Sequence, residues 1–184
     1  MEETIVAPAT PAGRGGISII RISGRGAKEV GLNLCGELPK SWSFKPCSIL
    51  DGSGVLIDSG LVVFFAAPKS YTGEDVVEIH CHGNPVVVDS IVAASIFFGA
   101  RVAEPGEFTK RAFLNDKIDL AQAESVSDLI AAQTSSALVA ANSSLLGEFS
   151  QLINKTIDKV VAARTLVEAC LDSVSYTHLT LPTN

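Results

Sequence analysis

Residues 74–85 read E-D-V-V-E-I-H-C-H-G-N-P, and no other stretch constrains the fold so tightly. A period of two puts Val77, Ile79 and Cys81 on one face of a strand and Val76, Glu78, His80 and His82 on the other. The first face is core. The second sets a carboxylate and two imidazoles in a row. Asn84-Pro85 then supplies an N-cap and a first helical residue, and Gly99 a stop, so the strand must hand over at once to an apolar helix.

Further elements surround this unit. Residues 4–7, 17–23 and 60–67 are apolar and β-branched and read as strands, with residues 11–16 (P-A-G-R-G-G) as a loop. Ser23 can cap a helix over residues 25–34, although Gly26 and Gly31 weaken it. From Asp119 the pattern turns helical: Leu120, Ala123, Val126, Leu129 and Ile130 recur at helical spacing, as do Leu145, Phe149, Leu152, Ile153, Ile157, Val160 and Val161. Asp119 with Gln122 resembles a capping box. Two long helices, or one broken near Ser143-Ser144, are expected, with an apolar stripe that needs a partner surface. The expected class is α+β: a mixed α/β domain over residues 1–118, then long helices over 119–172. Residues 173–184 (S-V-S-Y-T-H-L-T-L-P-T-N) carry no periodicity and no formal charge and read as a non-native tail.

Hydrophobic residues make up 47% of the 184-residue chain and charged ones 18%, which places it with globular proteins. A net charge of −6 argues against unaided nucleic-acid binding, though a local basic patch stays open. Cys35, Cys47, Cys81 and Cys170 lack C-x-x-C spacing, which suits a reducing compartment. The chain shows neither a leader pattern nor a run of about 18 apolar residues, so a cytoplasmic protein without membrane association is expected.

Glu78, His80 and His82 admit three readings. They are a solvated strand face, a cradle in which a carboxylate accepts from an amidine-like edge, or a metal site of a metal-dependent hydrolase. Arg21 shares a face with Ile17 and Ile19 and needs a partner, either in an ion pair with Glu78 or in a ligand carboxylate. Lys117, just before the Asp119 cap, is an ordinary loop lysine or a mobile cation beside an anion-favouring helix start. Lys110 and Arg111 fall in a short helix after Pro105-Gly106, where exposure is expected. The glycines at 13, 15 and 16 make a turn and no phosphate loop, because G-x-x-x-x-G-K-[ST] is missing. Cys81, on the core face, is no nucleophile.

Three blocks together carry a resemblance: T-I-V-A-P-A-T-P-A-G-R-G-G-I-S-I-I-R-I-S-G, S-Y-T-G-E-D-V-V-E-I-H-C-H-G-N-P and E-P-G-E-F-T-K-R-A-F-L-N-D-K-I-D-L-A-Q-A-E. From about Glu3 to Asp172 the chain resembles the N-terminal region of the MnmE (TrmE) family of tRNA-modifying GTPases. The resemblance implies a tetrahydrofolate-binding domain like that of the glycine-cleavage aminomethyltransferase, followed by the first helices of a helical domain. It implies a homodimer through the N-terminal domain, a flavoprotein partner (MnmG), and modification of carbon 5 of the tRNA wobble uridine. The one-carbon unit would come from 5-formyl- or 5,10-methylene-tetrahydrofolate. The family's folate contacts fall on Arg21, Glu78 and Lys117. GTP, Mg and K belong to the family's G domain, which this chain does not reach, so GTP hydrolysis by this chain alone is not expected. The helices, short of their bundle, are expected to be protease-sensitive beyond residue 118.

Overall fold

The computed structural model describes residues 3–175. The chain divides into two compact units, Met1–Ile118 and Asp119–Asn184.

The first unit is built on a six-stranded sheet. Its strands are β1 (Ile5–Pro8), β2 (Gly15–Ser23), β3 (Phe44–Leu50), β4 (Leu56–Phe65), β5 (Val76–Gly83) and β6 (Arg101–Val102), in the order β3-β4-β5-β2-β1-β6. Neighbours pair antiparallel except β1 and β6, which run parallel. Helices α1 (Ala27–Cys35) and α2 (Pro85–Phe97) pack on the face that presents Val6, Ile20, Ile22, Val62, Val77, Ile79 and Cys81, and together these form the core. The alternation in β5 thus places Val77, Ile79 and Cys81 as expected, and Glu78 and His80 fall on the other side of the sheet. At Gly60 a Cβ would stand 2.1 Å from the His80 carbonyl oxygen, so β4 can lie this close to β5 only without a side chain there.

α2 begins as its residues dictate, with the Asn84 side chain accepting from Val86 N–H and Pro85 in the first turn. α1 does not. Its N-cap position is Gly26, without a side-chain cap, and Gly26 N–H donates to Thr4 Oγ1 instead. Ser23, expected to cap it, turns to Thr72 and Glu74. Strand β3 was not apparent from the pattern because Pro46 interrupts it. Pro46 is tolerated there because β3 is an edge strand. A last helix of this unit, α3 (Glu107–Leu114), follows Gly106.

The second unit holds α4 (Leu120–Ala131), α5 (Ser135–Leu145) and α6 (Glu148–Ser175). Asp119 and Gln122 form the reciprocal capping box, and Gln122 Nε2 also donates to the Leu145 carbonyl at 2.8 Å. Three helices replace the expected two. The chain breaks before Ser135, where Thr134 caps α5, and again at Leu146-Gly147, just beyond the pair Ser143-Ser144. α6 continues to Ser175, so the helix outlasts Asp172 by three residues. Residues 176–184, the rest of the segment read as a tail, lie outside the described residues. Among the described residues no helix is long and apolar enough to cross a membrane.

Candidate ligand-binding site

Antiparallel register sets Arg21 of β2 directly opposite Glu78 of β5. Arg21 Nε donates to Glu78 Oε1 at 2.8 Å, and its Nη2 reaches the same oxygen at 2.7 Å. The pair is half-buried. The Arg21 guanidinium lies 5.1 Å from the Tyr71 ring centroid and 5.7 Å from that of Phe108, so two aromatic rings brace the cation. Tyr71 comes from the loop between β4 and β5, Phe108 from α3, and a hydrogen bond of 2.9 Å joins the Tyr71 hydroxyl to Thr109 Oγ1. Two strands, one loop and one helix therefore converge on Arg21.

The Arg21 hydrogen bond goes to Glu78 Oε1. Oε2 faces His80 Nε2 at 3.8 Å, beyond hydrogen-bonding range. That ring nitrogen is buried and has no hydrogen-bond partner, a costly state that a ligand or a water would relieve. Phe44 lies edge-on to the His80 ring with centroids 5.6 Å apart. Beside His80 a shallow depression of about 190 Å³ is lined by Ile17, Ser59, Leu61 and His82 among others.

His82 is drawn elsewhere. Its backbone N–H donates to Asp58 Oδ2 at 2.8 Å and its Nδ1 sits 2.9 Å from Oδ1, with the ring exposed. Burial works against ionisation of Asp58, but the hydrogen bonds from His82 and from Ser59 N–H outweigh it and hold the carboxyl below the usual range. Glu78, His80 and His82 thus do not act as one ligand set. Among the described residues no group of three His, Cys, Asp or Glu side chains is placed to hold a metal, and the hydrolase reading finds no support.

Lys117 is exposed and donates from Nζ to the Pro68 carbonyl at 2.9 Å. Its stem passes Gly73, where a Cβ would lie 3.2 Å from Lys117 Cγ and where φ is +80°, so glycine is required twice over. Asn115 Nδ2 donates to the Thr72 carbonyl at 2.7 Å. The structure therefore joins Arg21 to Glu78 directly, and links Lys117 to them through the loop that carries Tyr71.

That loop is anchored by a residue expected at the surface. Arg111 is buried, and contacts Glu74 Oε2 at 3.1 Å, Glu107 Oε1 at 3.0 Å and the Glu3 carbonyl at 2.8 Å. Glu107 also meets Arg101 at 2.6 Å, and the Arg101 guanidinium first of all pushes its carboxyl down to about 2. Glu74 accepts from Ser23, which bonds Thr72 in turn. The i,i+4 spacing of Glu107 and Arg111 was the available signal for an ion pair, though not for its burial. Lys110 is exposed, as expected. A larger hollow of about 580 Å³, between the β3–β4 hairpin and α2, is lined by Asp51, Leu56, Val86 and Phe97 among others. Asp51 is its one charged lining residue, so size alone does not make it the site.

Arg21, Tyr71, Glu78, Phe108 and Lys117 all lie within a stretch, residues 4–117, that matches the family model described as the GTP-binding protein TrmE N-terminus. Residues 120–177 match the MnmE helical domain. The chain belongs to the MnmE (TrmE) family. The tRNA modification GTPase MnmE of Neisseria meningitidis serogroup B is 53% identical to it over 169 residues, covering 92% of this chain and 38% of that protein. The MnmE of Legionella pneumophila strain Corby is 50% identical over 173 residues with the same coverage, and a Neisseria gonorrhoeae MnmE is 52% identical over 169. This chain spans 38% of the length of these MnmE relatives.

Proposed function

We propose that the sheet unit is an aminomethyltransferase-like folate-binding module of a tRNA-modifying GTPase. It binds a 5-formyl- or 5,10-methylene-tetrahydrofolate through Arg21, Glu78 and Lys117 and pairs with a second copy. The observation that carries this reading is the half-buried Arg21–Glu78 pair, braced by Tyr71 and Phe108, with Glu78 Oε2 still able to accept. A pterin presents a flat ring and an amino-pyrimidine edge rich in N–H donors, which suits a carboxylate set among aromatic side chains. The partnerless His80 nitrogen beside Oε2 adds a polar group that a ligand would satisfy.

The ion pair also limits how the edge can be held. Glu78 Oε1 already accepts from Arg21 Nε and stands in ion-pair contact with Nη2. A pterin edge can therefore take Oε2 alone, or take both oxygens only if Arg21 gives way. Lys117 on the neighbouring loop suits an anionic part of the coenzyme. The depression beside His80, at about 190 Å³, is smaller than the roughly 300–1,000 Å³ usual for small-molecule sites, which supports closure of the site by a second surface. Bound folate would supply the one-carbon unit for carbon 5 of the tRNA wobble uridine. GTP with Mg and K, tRNA and the flavoprotein MnmG are proposed for the whole enzyme, in the cytoplasm, and no described residue is assigned to them.

Calorimetric titration of the chain with 5-formyltetrahydrofolate tests the assignment. Glu78→Ala should weaken binding more than tenfold, as expected for loss of a charge-assisted bond worth about 1.5–3 kcal/mol. If a folded Glu78→Ala protein binds as tightly as the parent, Glu78 does not hold the coenzyme.

A further inference from the structure

Arg111 is a buried cation on α3, and the whole of its guanidinium fork is spent inside the protein. Nε and Nη2 donate to Glu107 Oε1 at 3.3 and 3.0 Å, and Nη2 also reaches the Glu3 carbonyl at 2.8 Å. Nη1 donates to both oxygens of Glu74, at 3.2 and 3.1 Å. Glu107 stands one turn earlier on the same helix, so that half of the web is local. Glu74 is 37 residues away, on the loop between β4 and β5, so the other half ties that loop to α3. Asn115, at the end of α3, repeats the tie by donating to the Thr72 carbonyl at 2.7 Å. The two elements joined in this way carry the rings beside Arg21. Tyr71 precedes Glu74 on the loop, Phe108 precedes Arg111 on the helix, and the Tyr71 hydroxyl lies 2.9 Å from Thr109 Oγ1.

We propose that Arg111 is a positioning residue for the coenzyme site: it locks the Tyr71 loop onto α3, and the two rings then hold Arg21 on Glu78 Oε1. Its consequence for binding rests on the folate reading above. An Arg21 guanidinium free to swing would take either carboxylate oxygen, and the acceptor that a pterin edge requires would no longer be kept open. A cation alone does not suffice at position 111. Lysine carries one compact ammonium and cannot fork onto two carboxylates and a carbonyl at once. Arg101 supplies the contrast. It belongs to the same charged web, but its bonds go to Glu3, Glu107 and the Val102 carbonyl, away from the Tyr71 loop.

The test compares the whole chain with its Glu74→Gln, Arg111→Lys and Arg101→Gln variants. Urea titration reads stability, NMR reads exchange of the Arg21 Nε proton (assigned with Arg21→Lys), and calorimetry reads binding of 5-formyltetrahydrofolate. Glu74→Gln keeps the side chain's shape and leaves Arg111 paired with Glu107, so it serves even where Arg111→Lys does not fold. In the parent the Arg21 Nε proton, bonded to Glu78 at 2.8 Å, should exchange slowly. Glu74→Gln and Arg111→Lys should speed that exchange and weaken folate binding, each by about tenfold, the scale on which loss of an outer supporting residue is felt at a bound site. Arg101→Gln should lose stability and leave both readings unchanged. The proposal is overturned if Glu74→Gln and Arg111→Lys lower stability yet leave the Arg21 proton protected and folate bound as tightly as by the parent. It is overturned equally if Arg101→Gln frees that proton to the same degree, since any loss of stability would then be enough. A chain that shows the expected exchange pattern but takes up no folate would end the folate reading and leave Arg111 its hold on Arg21.

Discussion

The sheet unit and the helical unit bury apolar surface in opposite measure. In the first, Ile5, Ile20, Ile22, Ile49, Ile79 and Ile91 are fully sealed. In the second, Ser125 and Ala141 are the buried side chains among the described residues, while Leu152, Val160 and Leu166 remain 62%, 62% and 69% exposed. Hydrophobic burial stabilises the first unit at roughly 25 cal/mol per Å² removed from water. The second must lean on local devices: the Asp119–Gln122 box, the Thr134 cap and the Arg164–Glu168 pair on one face of α6. A sequence can thus write clear helices without providing what they need in order to be stable alone.

The contrast can be broken by paired truncations, which carry the largest expected effect. Ile79→Ala should lower the stability of the sheet unit by about 2–5 kcal/mol, whereas Ile157→Ala, half-exposed on α6, should change stability by less than about 0.5 kcal/mol. Urea titration of both variants reads this directly, and equal losses would mean that the two units are built alike. Acid sharpens the contrast next. The folded Glu107 carboxyl titrates near 2 against an ordinary 4.5, so its contribution is complete above about 4.5 and is lost as pH falls toward 2. About 1–2 kcal/mol should vanish from the sheet unit over that window, allowing for the exposure of Arg101. A Glu107→Gln protein should show a flatter profile, and one as steep as the parent would remove Glu107 from the account. The smallest effect lies in the helices. Asp119→Ala should cost about 1 kcal/mol, seen as faster hydrogen exchange across α4 with the sheet amides unchanged. Faster exchange in β5 as well would show that the cap supports more than its own helix.

How much could be read from residues alone follows from how local each cause is. The β5 alternation, the Asn84 cap and the Asp119 box act within a few residues, and each appears in the structure where its pattern places it. The Arg21–Glu78 pair was one of two partnerships open to that arginine, and strand register is what brings the two side chains together. Arg111 was misplaced because its burial depends on Glu74 and Glu3, remote in the chain. Strand β3 hid behind Pro46, which only an edge position excuses. Thr134 offered a cap signal that passed unnoticed among the neighbouring small polar residues. The Lys117 contact with a main-chain oxygen at Pro68 leaves no mark in any pattern of side chains.

The alignment of β2 with β5 has one more consequence. Sliding β5 by a single position would turn Glu78 and His80 toward the oily interior and expel Ile79 and Val77. A carboxylate stranded there, away from its arginine, is among the most unfavourable arrangements a protein interior can hold. The charged couple therefore proofreads the sheet while it forms: a chain that pairs these strands wrongly cannot settle.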